Sequence, residues 1–77
     1  MFTIAALYHF TRFPDFAALQ EPLLDLGRAH GIRGSLLLAS EGINGTISGD
    51  LAGIDAMLAH IRALPGCDDF EYKLSTA

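Results

Sequence analysis

Few side chains in this sequence combine the type and spacing that chemistry demands, and most of them fall in one stretch. Residues 36–49 read LLLASEGINGTISG. Glu41 and Asn44 stand there among three glycines in eight residues, Gly42, Gly45 and Gly49. Glycine loses more backbone entropy on folding than any other residue. This density therefore points to a backbone shape that side chains would obstruct. A loop of that kind can present the Glu41 carboxylate and the Asn44 amide to a ligand or to RNA. The same residues also make an ordinary hairpin, with Asn44 supplying turn geometry and Glu41 solvated, and turns of this composition are common.

The remaining candidates are isolated. Arg12 lies in HFTRFPD, a loop that could hold an anion. That loop lacks the glycines of a phosphate cradle, and a solvated or ion-paired arginine is the plainer role. Cys67 as a nucleophile would need a base and a lowered pKa. Asp68 and Asp69 follow it, and nearby negative charge disfavours the thiolate. A half-buried loop cysteine is expected instead. His9, His30 and His60 show no metal-ligand spacing with one another or with Cys67,. No catalytic residue, metal or cofactor is expected in this domain.

Composition narrows the classes. Seventy-seven residues make one small domain, and 51% hydrophobic content permits a core, although so short a chain buries a limited share of its surface. No run approaches the roughly 18 apolar residues of a membrane span, so no membrane partner is expected. The start of the chain lacks the pattern of a signal peptide. Cys67 is the only cysteine, which suits a reducing compartment, and the cytoplasm is the expected location. The net charge is −4, and Arg12, Arg28, Arg33, Arg62 and Lys73 form no basic run. Phosphate neutralisation supplies most nucleic-acid affinity, so this domain alone should bind RNA weakly.

Six elements follow from periodicity. Thr3 to Phe10 alternates as a first strand, with Ile4, Ala6, Tyr8 and Phe10 on one face and Thr3, Ala5, Leu7 and His9 on the other,. Phe16, Leu19, Leu23, Leu26 and His30 recur at helical spacing behind a candidate N-cap, Asp15,. Pro22 would cost about 3 kcal/mol inside a helix, which predicts a short initial turn and a helix starting near Gln20, with Gly31 at its C′ position. Ser35 to Ala39 is the second strand, its leucines fitting a buried run. Asn44-Gly45 is predicted to make the tight turn of a hairpin, with Thr46 to Ser48 as the third strand. Asp50 caps a second helix with an apolar face of Leu51, Ile54, Met57, Leu58, Ile61 and Leu64, stopped by Pro65-Gly66. Phe70, Tyr72 and Leu74 alternate as a half-buried last strand. The order β-α-β-β-α-β, with right-handed crossovers, predicts an α+β, ferredoxin-like sandwich of two helices on one face of a four-stranded antiparallel sheet. The other face is open and is expected to carry Leu7, His9, Thr46, Glu71 and Lys73.

With these elements in place, LLLASEGINGTISG resembles the signature of the rhodanese-domain tRNA uridine hydroxylases. ALYHF before it, EPLLDLGRAHGIRG leading into it and FEYKLS after it extend the likeness over nearly the whole chain. The resemblance implies an acylphosphatase-like N-terminal domain, residues 1–77, of a longer rhodanese-containing protein. It implies an oxygen-dependent hydroxylation of wobble uridine at the 5 position in tRNA, with the catalytic cysteine in the rhodanese domain. Cys67 does not match that cysteine. The motif residues Glu41, Gly42, Asn44, Gly45 and Thr46, and Arg12 of the first loop, are then expected to help present tRNA or to pack against the rhodanese domain. Acylphosphatases proper share the topology and use a first-loop arginine and an asparagine near the central hairpin. Arg12 and Asn44 are loosely placed for those roles, so a small acyl-phosphate hydrolase is the alternative. A purely structural domain is the third reading.

Overall fold

The computed structural model describes residues 2–76. Strand β1 (Thr3–Phe10) leads to helix α1 (Phe16–Ala29). Strands β2 (Arg33–Ala39) and β3 (Gly42–Gly49) form a hairpin, followed by helix α2 (Leu51–Arg62) and strand β4 (Glu71–Thr76). The sheet order is β2-β3-β1-β4, and every pairing is antiparallel. This is the α+β, ferredoxin-like arrangement expected from the element order.

Register decides which side chains share a face. Ala5 pairs with Ile47 and Leu74, and Leu7 with Gly45 and Tyr72. Leu38 pairs with Ile43. Ala5, Leu7, Leu38, Ile43 and Ile47 are all buried against Leu23, Ile54, Met57, Leu58 and Ile61 of the helices. The face of Leu7 and His9 is therefore the covered one, and the expectation that it lies open is reversed. Ile4, Ala6, Tyr8 and Phe10 occupy the open face, with Glu71, Lys73 and Thr46 beside them as expected. The alternation of β1 was read correctly. Its two faces are nearly equal in apolar content, so hydropathy could not say which one the helices would cover.

The hairpin also differs from expectation. Its turn is Ser40-Glu41, with Ala39 facing Gly42, while Asn44 and Gly45 lie inside β3, opposite Leu37 and Leu36. No non-glycine residue among those described has a positive φ, so Asn44 does not supply turn geometry. β2 is an edge strand with one uncovered face, so its leucines divide: Leu38 is buried, Leu36 partly so, and Leu37 is 64% exposed.

Helix α1 runs unbroken from Phe16 with Pro22 inside it, not from Gln20. Pro22 and Ala18 are both exposed, so water can serve the carbonyl that Pro22 leaves without its usual donor, and burial of Leu23 with Leu19 and Leu26 offsets the remaining cost,. Asp15 holds the N-cap position without a side-chain hydrogen bond. Phe16 and His30 are exposed. The C-terminal end is a Schellman motif: Ile32 N–H donates to the Gly27 carbonyl (2.8 Å) and Gly31 N–H to that of Arg28 (3.3 Å), with Gly31 at φ 65°,. Helix α2 is capped as expected, Gly53 N–H donating to Asp50 Oδ1 at 2.7 Å. Leu51, expected on its apolar face, is instead 57% exposed in the first turn.

Candidate functional site

The signature stretch resolves into three parts with different surroundings. The first is the turn. The Ser40 and Glu41 carbonyls accept hydrogen bonds from Phe13 N–H (2.9 Å) and Thr11 N–H (3.1 Å). The loop after β1 is thus laid along the hairpin turn, anchored by the buried Phe13 ring. Arg12 sits between those two donors and is exposed. Arg12 and Glu41 line the same hollow at one end of the sheet, with Phe10, Pro14 and Ser40. Ser40 Oγ donates to Glu41 Oε2 at 3.0 Å, which holds the carboxylate at the turn.

The second part is backbone. Gly42 has φ 150° and Gly45 φ 149°, values that residues with a side chain rarely adopt. A Cβ at Gly42 would run into the His9 carbonyl oxygen, and one at Gly45 into that of Ser35. These glycines permit close approach of neighbouring strands; they present no group of their own.

The third part is the open sheet face. Asn44 pairs with Tyr8 on β1, and Thr46 with Ala6. Asn44 and Thr46 are exposed and line one open trough with Tyr8, Glu71 and Lys73. Gly42 lies opposite Phe10 and covers nothing of its ring, which is 81% exposed; Tyr8 is 54% exposed. The two rings stand edge to face, centroids 6.3 Å apart and planes at 73°. Hydrogen bonding and charge interaction with Glu71, the cross-strand partner of Tyr8, push the Tyr8 phenol above its ordinary value. Reading the motif for polar groups missed Tyr8 and Phe10. Their signal was the period-2 alternation of ALYHF, which placed them together on one face.

The isolated candidates are accounted for structurally. Cys67 is fully buried, and burial, then the Asp68 carboxylate, push its thiol up, away from the thiolate a nucleophile needs. His9 Nε2 donates to the Gly66 carbonyl at 2.7 Å, which ties β1 to the loop before β4 and fixes the tautomer. Among the described residues no three His, Cys, Asp or Glu side chains are grouped to hold a metal ion, and no helix is long and apolar enough to cross a membrane. Arg12 and Asn44 line separate hollows, so the pair that an acyl-phosphate hydrolase would need is not assembled around one site.

A family model described as the UPF0176 acylphosphatase like domain matches residues 2–77. The chain belongs to that family. Three proteins named tRNA uridine(34) hydroxylase are similar to this UPF0176 domain. The one from Roseobacter denitrificans is 66% identical over 95% of the chain, that from Jannaschia sp. 64% over 100%, and that from Caulobacter vibrioides 59% over 99%. The chain spans about a quarter of their length, 25%, 26% and 24% respectively. The likeness thus covers essentially the whole chain and a minor part of each relative, consistent with the family resemblance carried by EGINGT.

Proposed function

We propose that this domain is the accessory N-terminal part of a tRNA-modifying oxidoreductase that hydroxylates the wobble uridine at the 5 position, acting in the cytoplasm. The observation that carries this is the 59–66% identity, across essentially the entire chain, to the three tRNA uridine(34) hydroxylases. The domain contributes position rather than chemistry. Its one cysteine is sealed in the core, and its first loop lacks a glycine cradle for an anion. Its task is to help orient tRNA, with Glu41, Asn44, Thr46 and Arg12 as the groups offered to the nucleic acid and Gly42 and Gly45 shaping the strand that carries two of them. Docking of a rhodanese domain is a second reading, supported by the exposure of Leu37 on the edge strand.

The test is mass spectrometry of tRNA from cells whose full-length protein carries Glu41→Ala or Asn44→Ala. Less 5-hydroxyuridine at position 34, with normal protein abundance, is the expected outcome. Unchanged modification in both variants removes the tRNA-positioning role from these residues. Acyl-phosphate turnover by the purified protein that disappears in Arg12→Ala would favour the hydrolase instead.

A further inference from the structure

The domain is acidic as a whole, but its charge is unevenly shared. Arg33 and Lys73 lie on the open sheet face and Arg12 at its rim, so this side holds three of the five cationic residues against two acids, Glu71 on the face and Glu41 at the turn. The other seven acids share the helix layer and the loops with Arg28 and Arg62 alone. Of the net −4, the strands, the hairpin turn and Arg12 thus account for +1, and the helices and the remaining loops for −5. The global charge understates what this face offers to a polyanion.

The end of the face where β1 runs out has the features of a base-stacking platform. Tyr8 and Phe10 are two residues apart on the central strand β1, both largely exposed, with ring planes 73° apart. Small neighbours leave Phe10 open: Gly42 is directly opposite, and Ala39 pairs with Gly42 on the far side. Asn44, which pairs with Tyr8, can donate and accept,. Around the rings, Asn44, Thr46 and Lys73 are suited to base edges and phosphate; Glu71 stands opposite Tyr8, and Leu37 and Ala39 are the apolar neighbours on the β2 side. Single-stranded RNA is recognised in this way, by unstacked bases laid on aromatic rings of an open sheet and hydrogen-bonded at their edges.

We infer that the open sheet face binds unpaired RNA nucleotides, one base stacking on Tyr8 and a neighbouring one on Phe10, with Asn44 at a base edge and Arg12, Arg33 and Lys73 at phosphates. This rests on the reading that the domain serves a tRNA-modifying enzyme, and it names the loop nucleotides as the part of the substrate that the domain holds. Three phosphate contacts at most make the binding only modestly salt-dependent, with a slope of about −2 in log affinity against log salt.

The experiment measures fluorescence anisotropy of the full-length protein with a hairpin RNA carrying an unpaired uridine in its loop, and with the fully paired duplex of the same stem. Phe10→Ala and Tyr8→Ala are each expected to weaken hairpin binding by roughly 5- to 100-fold and to leave duplex binding unchanged. Tyr8→Phe, which keeps the ring, is expected to bind as the parent does. Equal hairpin affinity in parent and alanine variants overturns the inference. So does a pattern in which the alanine variants keep RNA affinity but lower the melting temperature or release the domain to limited proteolysis, because the face is then covered by another domain. Position-34 hydroxyuridine measured on the same variants separates the two failures. If removing the whole domain leaves the modification intact, the accessory role itself fails. If removal abolishes it while the aromatic variants modify normally, only the stacking inference fails.

Discussion

The two faces of the sheet are built from the same strands and have opposite fates. On β1, Ala5 and Leu7 are 0% and 3% exposed, while Tyr8 and Phe10, at alternate positions of the same strand, are 54% and 81% exposed. The buried part of the covered face is aliphatic, Ala5, Leu7, Leu38, Ile43 and Ile47 packing with Ile54, Met57 and Ile61. The open face mixes aromatic rings with amide, hydroxyl and charged groups. The difference shows that alternation within one strand sends its apolar residues to two surroundings: Ala5 and Leu7 pack beneath the helices, while Tyr8 and Phe10 face solvent beside Asn44, Thr46, Glu71 and Lys73.

The sharpest way to break this comparison is to truncate one residue from each face. Leu7→Ala should lower unfolding free energy by about 2–5 kcal/mol through lost burial and a residual cavity. Phe10→Ala should change it by less than about 0.5 kcal/mol. Denaturant unfolding reads both, and equal losses would mean that the open face is structural after all. A smaller effect is expected at the strand that joins the faces. Gly42→Ala should cost about 1–3 kcal/mol because its φ of 150° and the His9 carbonyl leave no room for a Cβ,, whereas Thr46→Ala, exposed four pairs along, should be near neutral.

The smallest expected effect concerns Cys67 on the covered side. Burial raises its thiol in the folded state. The unfolded chain therefore loses this proton first as pH climbs, so the stability linked to Cys67 is fully present below the ordinary thiol value and declines as pH rises from there through the raised folded value. Parallel unfolding curves of the parent and Cys67→Ala should converge or cross in that alkaline window. At neutral pH, thiol labelling should proceed only as fast as the domain opens. Rapid labelling of the folded protein would show the cysteine to be accessible and the covered face to be looser than its packing indicates.

Much of the fold was legible because its signals are local. Period-2 alternation marked β1, the Asp50 cap and the 3.6-period apolar stripe marked α2, and Gly31 marked the end of α1. The element order then left few topologies, since crossovers are right-handed. The candidate site was legible only in part. EGINGT identified the stretch and the family resemblance, but Asn44-Gly45 looked like a turn because the dipeptide favours one in isolation. Pairing of Leu36 and Leu37 with those two residues moved the turn to Ser40-Glu41.

What the sequence by itself determined about this protein is therefore its set of elements, their order and the alternation within each strand. These depend on propensities and spacings within a few residues. The tertiary structure alone decided which side of the sheet the helices cover, and with it that Tyr8 and Phe10 are free while Leu7 and His9 are not. It also decided that Pro22 is tolerated within α1 and that Arg12 lies against the hairpin turn. Each of those outcomes depends on how distant parts of the chain pack: the crossovers set the covered face, the docking of α1 leaves Pro22 and Ala18 to solvent while it buries Leu23, and carbonyls at Ser40 and Glu41 meet donors at Phe13 and Thr11.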